Sequence, residues 1–232
     1  MGHFDDPYNQ PPLRGDVDLW ETDPVLQTYA QASGADAADV APWAKAIGAA
    51  DMREAGRDAE RFLPEPNLID RGGRRLDEVR FHPAYHQLMS AGIAAGYIAR
   101  AWEPAPGGHA AHAAMVYLTS QTEPGVCCPM TMSYAAVPAL AADPAISDIW
   151  TPRLMSRVYD PRTVPVFQKD GATIGMAMTE RQGGSDVRAN VTRAVPVEDG
   201  YLLTGHKWFC SAPMSDAFLT LAQAQGLSLI HI

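Results

Sequence analysis

The residues best placed to do chemistry lie in two linked stretches towards the C-terminal end of the chain. The first is Met176-Ala177-Met178-Thr179-Glu180-Arg181-Gln182-Gly183-Gly184-Ser185-Asp186, a strand-like run that enters a glycine-containing loop. Glycines let backbone N–H groups approach a ligand and converge on it, which suits a pyrophosphate. Thr179 and Ser185 add hydroxyls on either side, although Gly-Gly-Ser-Asp taken alone is also the sequence of an ordinary turn. The second runs from Asp199-Gly200, a hairpin turn signal, to His206-Lys207-Trp208-Phe209-Cys210-Ser211.

Other combinations carry less chemistry. His82 and His86 stand four apart at a helix start, but no carboxylate or cysteine completes a metal site, so capping or surface packing is the simpler role. His109 and His112 read the same way. Cys127 and Cys128 precede Pro129 where a helix N-terminus would stabilise a thiolate, yet burial is the commoner fate of such residues. Ser185 has no His/Asp partners for a nucleophile, and no Gly-x-Gly-x-x-Gly or Walker pattern occurs. Trp20, Trp43, Trp102 and Trp150 read as helix contacts, whereas Trp208 admits both a packing and a ligand role.

The elements that must position these residues change character near Asp160. Before it the pattern is helical. Asp23-Pro24 opens a helix that Gly34 closes, a longer one is expected from Val40 to Phe62, and another from Pro83 to Trp102. Ala110–Gln121, Met130–Ala142 and Thr151–Tyr159 follow, the last with Thr151 as N-cap. Asp70-Arg71-Gly72-Gly73 marks a turn in a small hairpin between Asn67 and Arg80. Beyond Asp160 period two predicts strands at Thr173–Thr179, Asn190–Val197, Tyr201–Cys210 and Ala217–Gln223. The expected fold is α+β: an all-helical domain over residues 1–170, then a truncated, antiparallel β-barrel-like domain over residues 171–232. The run ending Leu229-Ile230-His231-Ile232 has no closing element after it, which predicts a chain cut from a longer protein.

Thr179-Glu180-x-x-x-Gly184-Ser185-Asp186, followed by a hairpin with Gly205-x-Lys207 and an aromatic two residues before a hydroxyl, resembles the flavin-binding middle domain of acyl-CoA dehydrogenases. Asn9-Gln10-Pro11-Pro12-Leu13, the run Gly73–Pro83 and Cys128-Pro129-Met130-Thr131-Met132 resemble the DNA-alkylation-response branch of that superfamily. The resemblance implies FAD bound by Met176, Ala177, Met178, Thr179, Gly183, Gly184, Ser185, Trp208, Phe209, Cys210 and Ser211. Met178 and Thr179 match the loop at the pyrimidine side, and Ser185 the position by the pyrophosphate and substrate mouth. Phe209 matches the aromatic against the isoalloxazine, and Ser211 a hydroxyl bonded to flavin N5. Arg181-Gln182, Phe209 and Ser211 replace the usual Pro-Gly, Trp and Thr, changes that bear on substrate choice.

The reaction implied is α,β-dehydrogenation of an acyl-CoA thioester by a homotetramer. Its catalytic glutamate belongs to a C-terminal helical bundle that this sequence does not include, so no catalytic residue is assigned and Glu180 is not given that role. The branch also implies an alternative, a duplex-DNA-binding protein whose flavin is largely structural, with the DNA-contacting surface in the same C-terminal part. A third outcome is a fragment that binds nothing.

Composition sets the outer limits. The 232 residues allow one large or two modest domains, and 47% hydrophobic content is that of a globular chain. With 18 basic against 27 acidic residues the net charge of −9 does not predict nucleic-acid binding. The three cysteines form no CxxC pair, which fits a reducing, cytoplasmic compartment. Neither a secretory signal at Met1–Asp6 nor a membrane-spanning apolar run is evident.

Overall fold

The computed structural model describes residues 14–224 and the backbone of 230–231. The Met1–Asp6 and Asn9–Leu13 stretches, Leu229 and Ile232 lie outside the described residues. Seven helices and two sheets make an α+β fold among them: α1 (Pro24–Ala32), α2 (Ala37–Ile47), α3 (Ala50–Arg61), β1 (Glu65–Ile69), β2 (Arg75–Arg80), α4 (Pro83–Ala95), α5 (Gly108–Ser120), α6 (Cys127–Leu140), α7 (Pro144–Leu154), then β3 (Ile174–Ala177), β4 (Arg193–Val197), β5 (Gly200–Thr204), β6 (Ala217–Ala224) and β7 (Ile230–His231). No helix of the described residues is long and apolar enough to cross a membrane.

The Asp-Pro signal works as expected at α1, where Asp23 accepts from Leu26 N and Pro24 takes the first turn. The single helix expected from Val40 to Phe62 is instead two. Val17 donates to Gly48 O at 3.0 Å, and a Cβ on Gly48 would stand 2.0 Å from Val17 O, so a distant segment occupies the place where the helix would continue. The same segment caps α3: Asp16 Oδ1 accepts from Ala50 N at 2.9 Å, and Arg53 donates to Arg14 O and Gly15 O.

Helix α4 also stops short of Trp102. Gly96 adopts φ +95°, and its N–H and that of Tyr97 return to Ile93 O and Gly92 O, which closes the helix a turn after Ile93. The last helix is α7, not Thr151–Tyr159. Asp143 caps it with Pro144 at N1, Thr151 bonds Ser147 inside it, and Pro152 falls in its final turn.

One core lies among α1 to α6, where Val40, Trp43, Ile47, Tyr97, Met115 and Leu118 are fully enclosed. A smaller cluster of Ala136, Leu140, Leu154 and Ile174 joins α6 and α7 to β3, and Ser133 Oγ accepts from Ile174 N at 3.0 Å across that seam. The sheet order is β3-β6-β4-β5, with β7 also on β6. It is open, and β3–β6 and β6–β4 are parallel while β4–β5 and β6–β7 are antiparallel. The β4–β5 hairpin turns at Glu198-Asp199, one residue before the expected Asp199-Gly200, with Val197 opposite Gly200; β5 ends at Thr204 and the rest of the expected strand to Cys210 leaves the sheet.

Candidate functional site

The end of β3 and the segment after β5 meet. Met176 bridges Ser211, Glu180 bridges Lys207, and Trp208 N donates to Thr179 O at 2.8 Å. The two stretches singled out in the sequence are therefore one local structure. Gly183 N and Glu180 N close a tight loop between residues 180 and 183. Gly184 then packs directly on Thr179, where an added Cβ would lie 2.7 Å from the threonine Oγ1. Asp186 accepts from Arg188 N, turning the chain into a short helical turn at Val187–Ala189.

The side chains divide by exposure. Ala177 is buried, and Met176 and Met178 pack against the small cluster beside β3; the backbone of Met176 and Ala177 pairs with β6, and the Met178 carbonyl accepts from Asn190 Nδ2. Gly184, Ser185, Cys210 and Ser211 are exposed. Trp208 and Phe209 are 49% and 76% exposed, large rings turned away from the core. Phe209 has φ +57° and Ala212 φ +51°, left-handed conformations that residues with a Cβ seldom adopt and that cluster at functional sites. This surface carries two exposed aromatic rings, set edge to face with centroids 6.0 Å apart, a neighbouring hydroxyl at Ser211, and a glycine where the loop closes on itself.

Beneath the surface is a polar network not anticipated from sequence. Glu180 is only 2% exposed. Its Oε1 accepts from Thr192 N (3.0 Å), Thr192 Oγ1 (2.5 Å) and Lys207 Nζ (2.8 Å), and its Oε2 from Val191 N and Gln182 Nε2 (both 2.7 Å). Burial pushes the carboxyl upward, but the bonds from Lys207, Thr192, Val191 and Gln182 outweigh it and hold the group well below the usual carboxylate range. Both carboxylate oxygens are thus committed to donors of the protein itself. The signal available was a Glu in one motif and a Lys in the other, opposite charges in segments that had to meet.

Beside Ser211 an apolar cavity of 780 Å³ lies between the end of α3, β2 and the start of α6, with Phe81, Tyr85, Cys128, Pro129 and Met214 in its walls. A more polar cavity of 440 Å³ shares Val79, Phe81, Tyr85 and Met214 and reaches His86, Tyr159, Lys169 and Asp216. His86 Nδ1 and Tyr159 Oη are 2.9 Å apart, and burial lowers the His86 pKa. Cys128 is exposed at the cavity wall instead of buried, whereas burial raises the thiol pKa of half-buried Cys127. Among the described residues no group of His, Cys, Asp or Glu could hold a metal ion; His82 caps α4, and His109 and His112 hydrogen-bond Tyr134 and the Tyr97 carbonyl.

Comparison with known proteins identifies the family. Residues 9–161 match the adaptive response protein AidB N-terminal domain, and residues 175–231 the acyl-CoA dehydrogenase middle domain. The chain belongs to the acyl-CoA dehydrogenase superfamily, in its adaptive-response AidB branch. It is 45% identical to AidB of Escherichia coli over 97% of its own length and 43% of that protein's. It is 32% identical to acyl-CoA dehydrogenase family member 11 of Caenorhabditis elegans over 81% of its length and 30% of the relative's. The chain thus spans less than half of these relatives. Among solved structures, apo Bd2924 superposes with a TM-score of 0.77 at 26% identity, over 96% of this chain and 47% of the other. Caenorhabditis elegans ACDH-11 in complex with C11-CoA gives 0.75 at 25% identity, over 100% of this chain and 41% of the other.

Proposed function

We propose that this chain is the helical domain (1–170) and part of the flavin-binding β domain (171–232) of an FAD-dependent oxidoreductase that α,β-dehydrogenates an acyl-CoA thioester. The observation that carries the reading is the junction of β3 with the segment after β5. It sets the exposed rings of Trp208 and Phe209 and the hydroxyl of Ser211 beside a loop that glycine keeps tight. Bound FAD supplies the hydride acceptor. The residues that would hold it are Phe209 and Trp208 at its ring system, Ser211 as a hydrogen-bond donor, residues 176–179 along its pyrimidine side, and Gly183, Gly184, Ser185 and Cys210 around them.

The acyl chain is assigned to the apolar cavity beside Ser211 on the cavity's apolar lining; the C11-CoA complex of ACDH-11 supports an acyl-CoA as the ligand class. Glu180 is not assigned as the base that removes the α-proton, because it already accepts five hydrogen bonds. Homo-oligomer assembly is part of the same proposal, since it would cover apolar residues that the β4–β5 hairpin leaves in water. Duplex-DNA binding gains no support from a chain of net charge −9.

The test is the visible spectrum of the complete protein after reconstitution with FAD, followed by titration with acyl-CoAs of increasing chain length under anaerobic conditions. A bound-flavin spectrum that bleaches with an acyl-CoA supports the proposal. Absence of a flavin spectrum sinks the cofactor assignment, and a bound flavin that no acyl-CoA reduces sinks the activity.

A further inference from the structure

The network under the site does more than bury a charge. The Met178 carbonyl accepts from Asn190 Nδ2 at 2.8 Å and lies 3.5 Å from Lys207 Nζ. Lys207 is in turn fixed by Glu180, which also holds the backbone of Val191 and Thr192 next to Asn190. In a planar trans peptide the C=O and the following N–H point in opposite directions. With the Met178 carbonyl drawn into the network, the N–H of Thr179 must face away from it. The next carbonyl, that of Thr179, is taken by Trp208 N, so the adjoining peptide is fixed from the aromatic segment itself.

We propose that Glu180, Lys207 and Asn190 form a positioning clamp that orients the Met178–Thr179 peptide, presents Thr179 N–H to the bound cofactor and holds Trp208–Ser211 in register with it. The inference rests on the FAD reading above. The three are positioning residues: they act on the ligand only through the backbone they hold. Gln at position 180 keeps the shape but turns an amide N–H₂ towards N–H donors and leaves the Lys207 ammonium uncompensated, so the clamp should loosen while the helical part stays folded.

The experiment uses the complete protein with FAD, comparing Glu180→Gln, Lys207→Met, Lys207→Arg and Asn190→Ala with the parent. Three quantities are read: the Kd for FAD, and the visible spectrum and flavin reduction potential at saturating FAD. Glu180→Gln and Lys207→Met should weaken FAD binding roughly tenfold or more, the order expected for lost charge-assisted hydrogen bonds. At saturation their spectrum and potential should still differ from the parent's. Lys207→Arg, which keeps the ion pair, should restore both, and Asn190→Ala should move them in the same direction by less.

A merely structural pair would lower the melting temperature yet leave the saturated spectrum and potential at parental values, and that result overturns the proposal. If Glu180→Gln yields no folded protein, Asn190→Ala decides, because it removes a bond to the Met178 carbonyl without disturbing a charge. A parent that binds no FAD is a different failure and strikes the cofactor reading itself.

Discussion

In the helical part, Val40, Trp43, Ile47, Tyr97, Met115 and Leu118 are sealed from solvent, whereas the β4–β5 hairpin leaves Val195, Val197, Tyr201, Leu202 and Leu203 open to it. Tyr201, Leu202 and Leu203 are consecutive, so both faces of the strand are uncovered, and among the described residues a small buried cluster beside the hairpin consists of Ala194, Ala222 and Ala224. The helices bury their apolar surface against one another. The hairpin leaves comparable surface for something else to cover, such as cofactor, further polypeptide or a second copy. The difference is one of coverage: the helices enclose their apolar side chains, and the β4–β5 hairpin leaves its own in water.

The contrast is sharpest for truncations of large side chains. Trp43→Ala, which opens the centre of the helical core and removes the bond from its indole N–H to Thr119, should cost about 3–5 kcal/mol in denaturant unfolding. Glu180→Ala should cost a similar or smaller amount, about 3 kcal/mol for an abandoned buried partner charge. Its loss should appear in hydrogen exchange of β3, β4 and the 205–211 segment and not in the helices. Exchange protection lost uniformly across the chain would erase the distinction between the two regions.

Acid should separate the regions by pH. His112 is buried against Tyr134 with ring centroids 3.7 Å apart, and burial holds its pKa below the free value despite its bond to the Tyr97 carbonyl. Because the unfolded chain then binds the proton more readily, the stability contributed by neutral His112 is complete above roughly pH 6.5 and declines as pH falls below it. Glu180 is depressed too, but from the carboxylate range. Its contribution is complete above roughly pH 4.3 and is lost only as pH falls further, through its folded value. Thermal melts against pH should therefore weaken the helical part first, and His112→Gln should flatten that first limb.

The smallest stability effect belongs to Phe209. Phe209→Ala should change unfolding free energy by no more than about 0.5 kcal/mol, as for an exposed surface residue. It should still weaken FAD binding roughly tenfold, the scale of one lost aromatic stacking contact. Calorimetry and flavin titration on the same sample would show whether stability and binding come apart at this residue.

Much of this could be read from local chemistry. Asp23-Pro24 acts within a few residues of itself and did what its sequence implies, and the Asp199-Gly200 signal located the β4–β5 turn to within one residue. The break at Gly48 was hidden because its cause, the backbone of Val17, is 31 positions away, and no periodicity within α2 or α3 records it. At α7 two Asp/Thr-Pro pairs competed, and Asp143, with a stronger capping side chain and Pro144 behind it, took the helix start from Thr151. In the site, residues on the exposed rim could be named from the motif pattern. Lys207, Thr192 and Asn190 could not be given their partners, because a hydrogen-bond network is a fact of three-dimensional proximity that spacing along one strand does not encode.

The contact of Asp16 and Val17 with the α2–α3 junction bears on how this protein can be trimmed. The start of α3 borrows its cap from 34 residues upstream. A recombinant version beginning at the first helix, Pro24, would retain every helix yet strip two of them of a capping hydrogen bond, that of Asp23 at α1 and that of Asp16 at α3, and would remove Leu19 and Trp20, which pack on the core. The functional N-terminal boundary of the folded unit therefore lies at or before Arg14, well ahead of the first regular element.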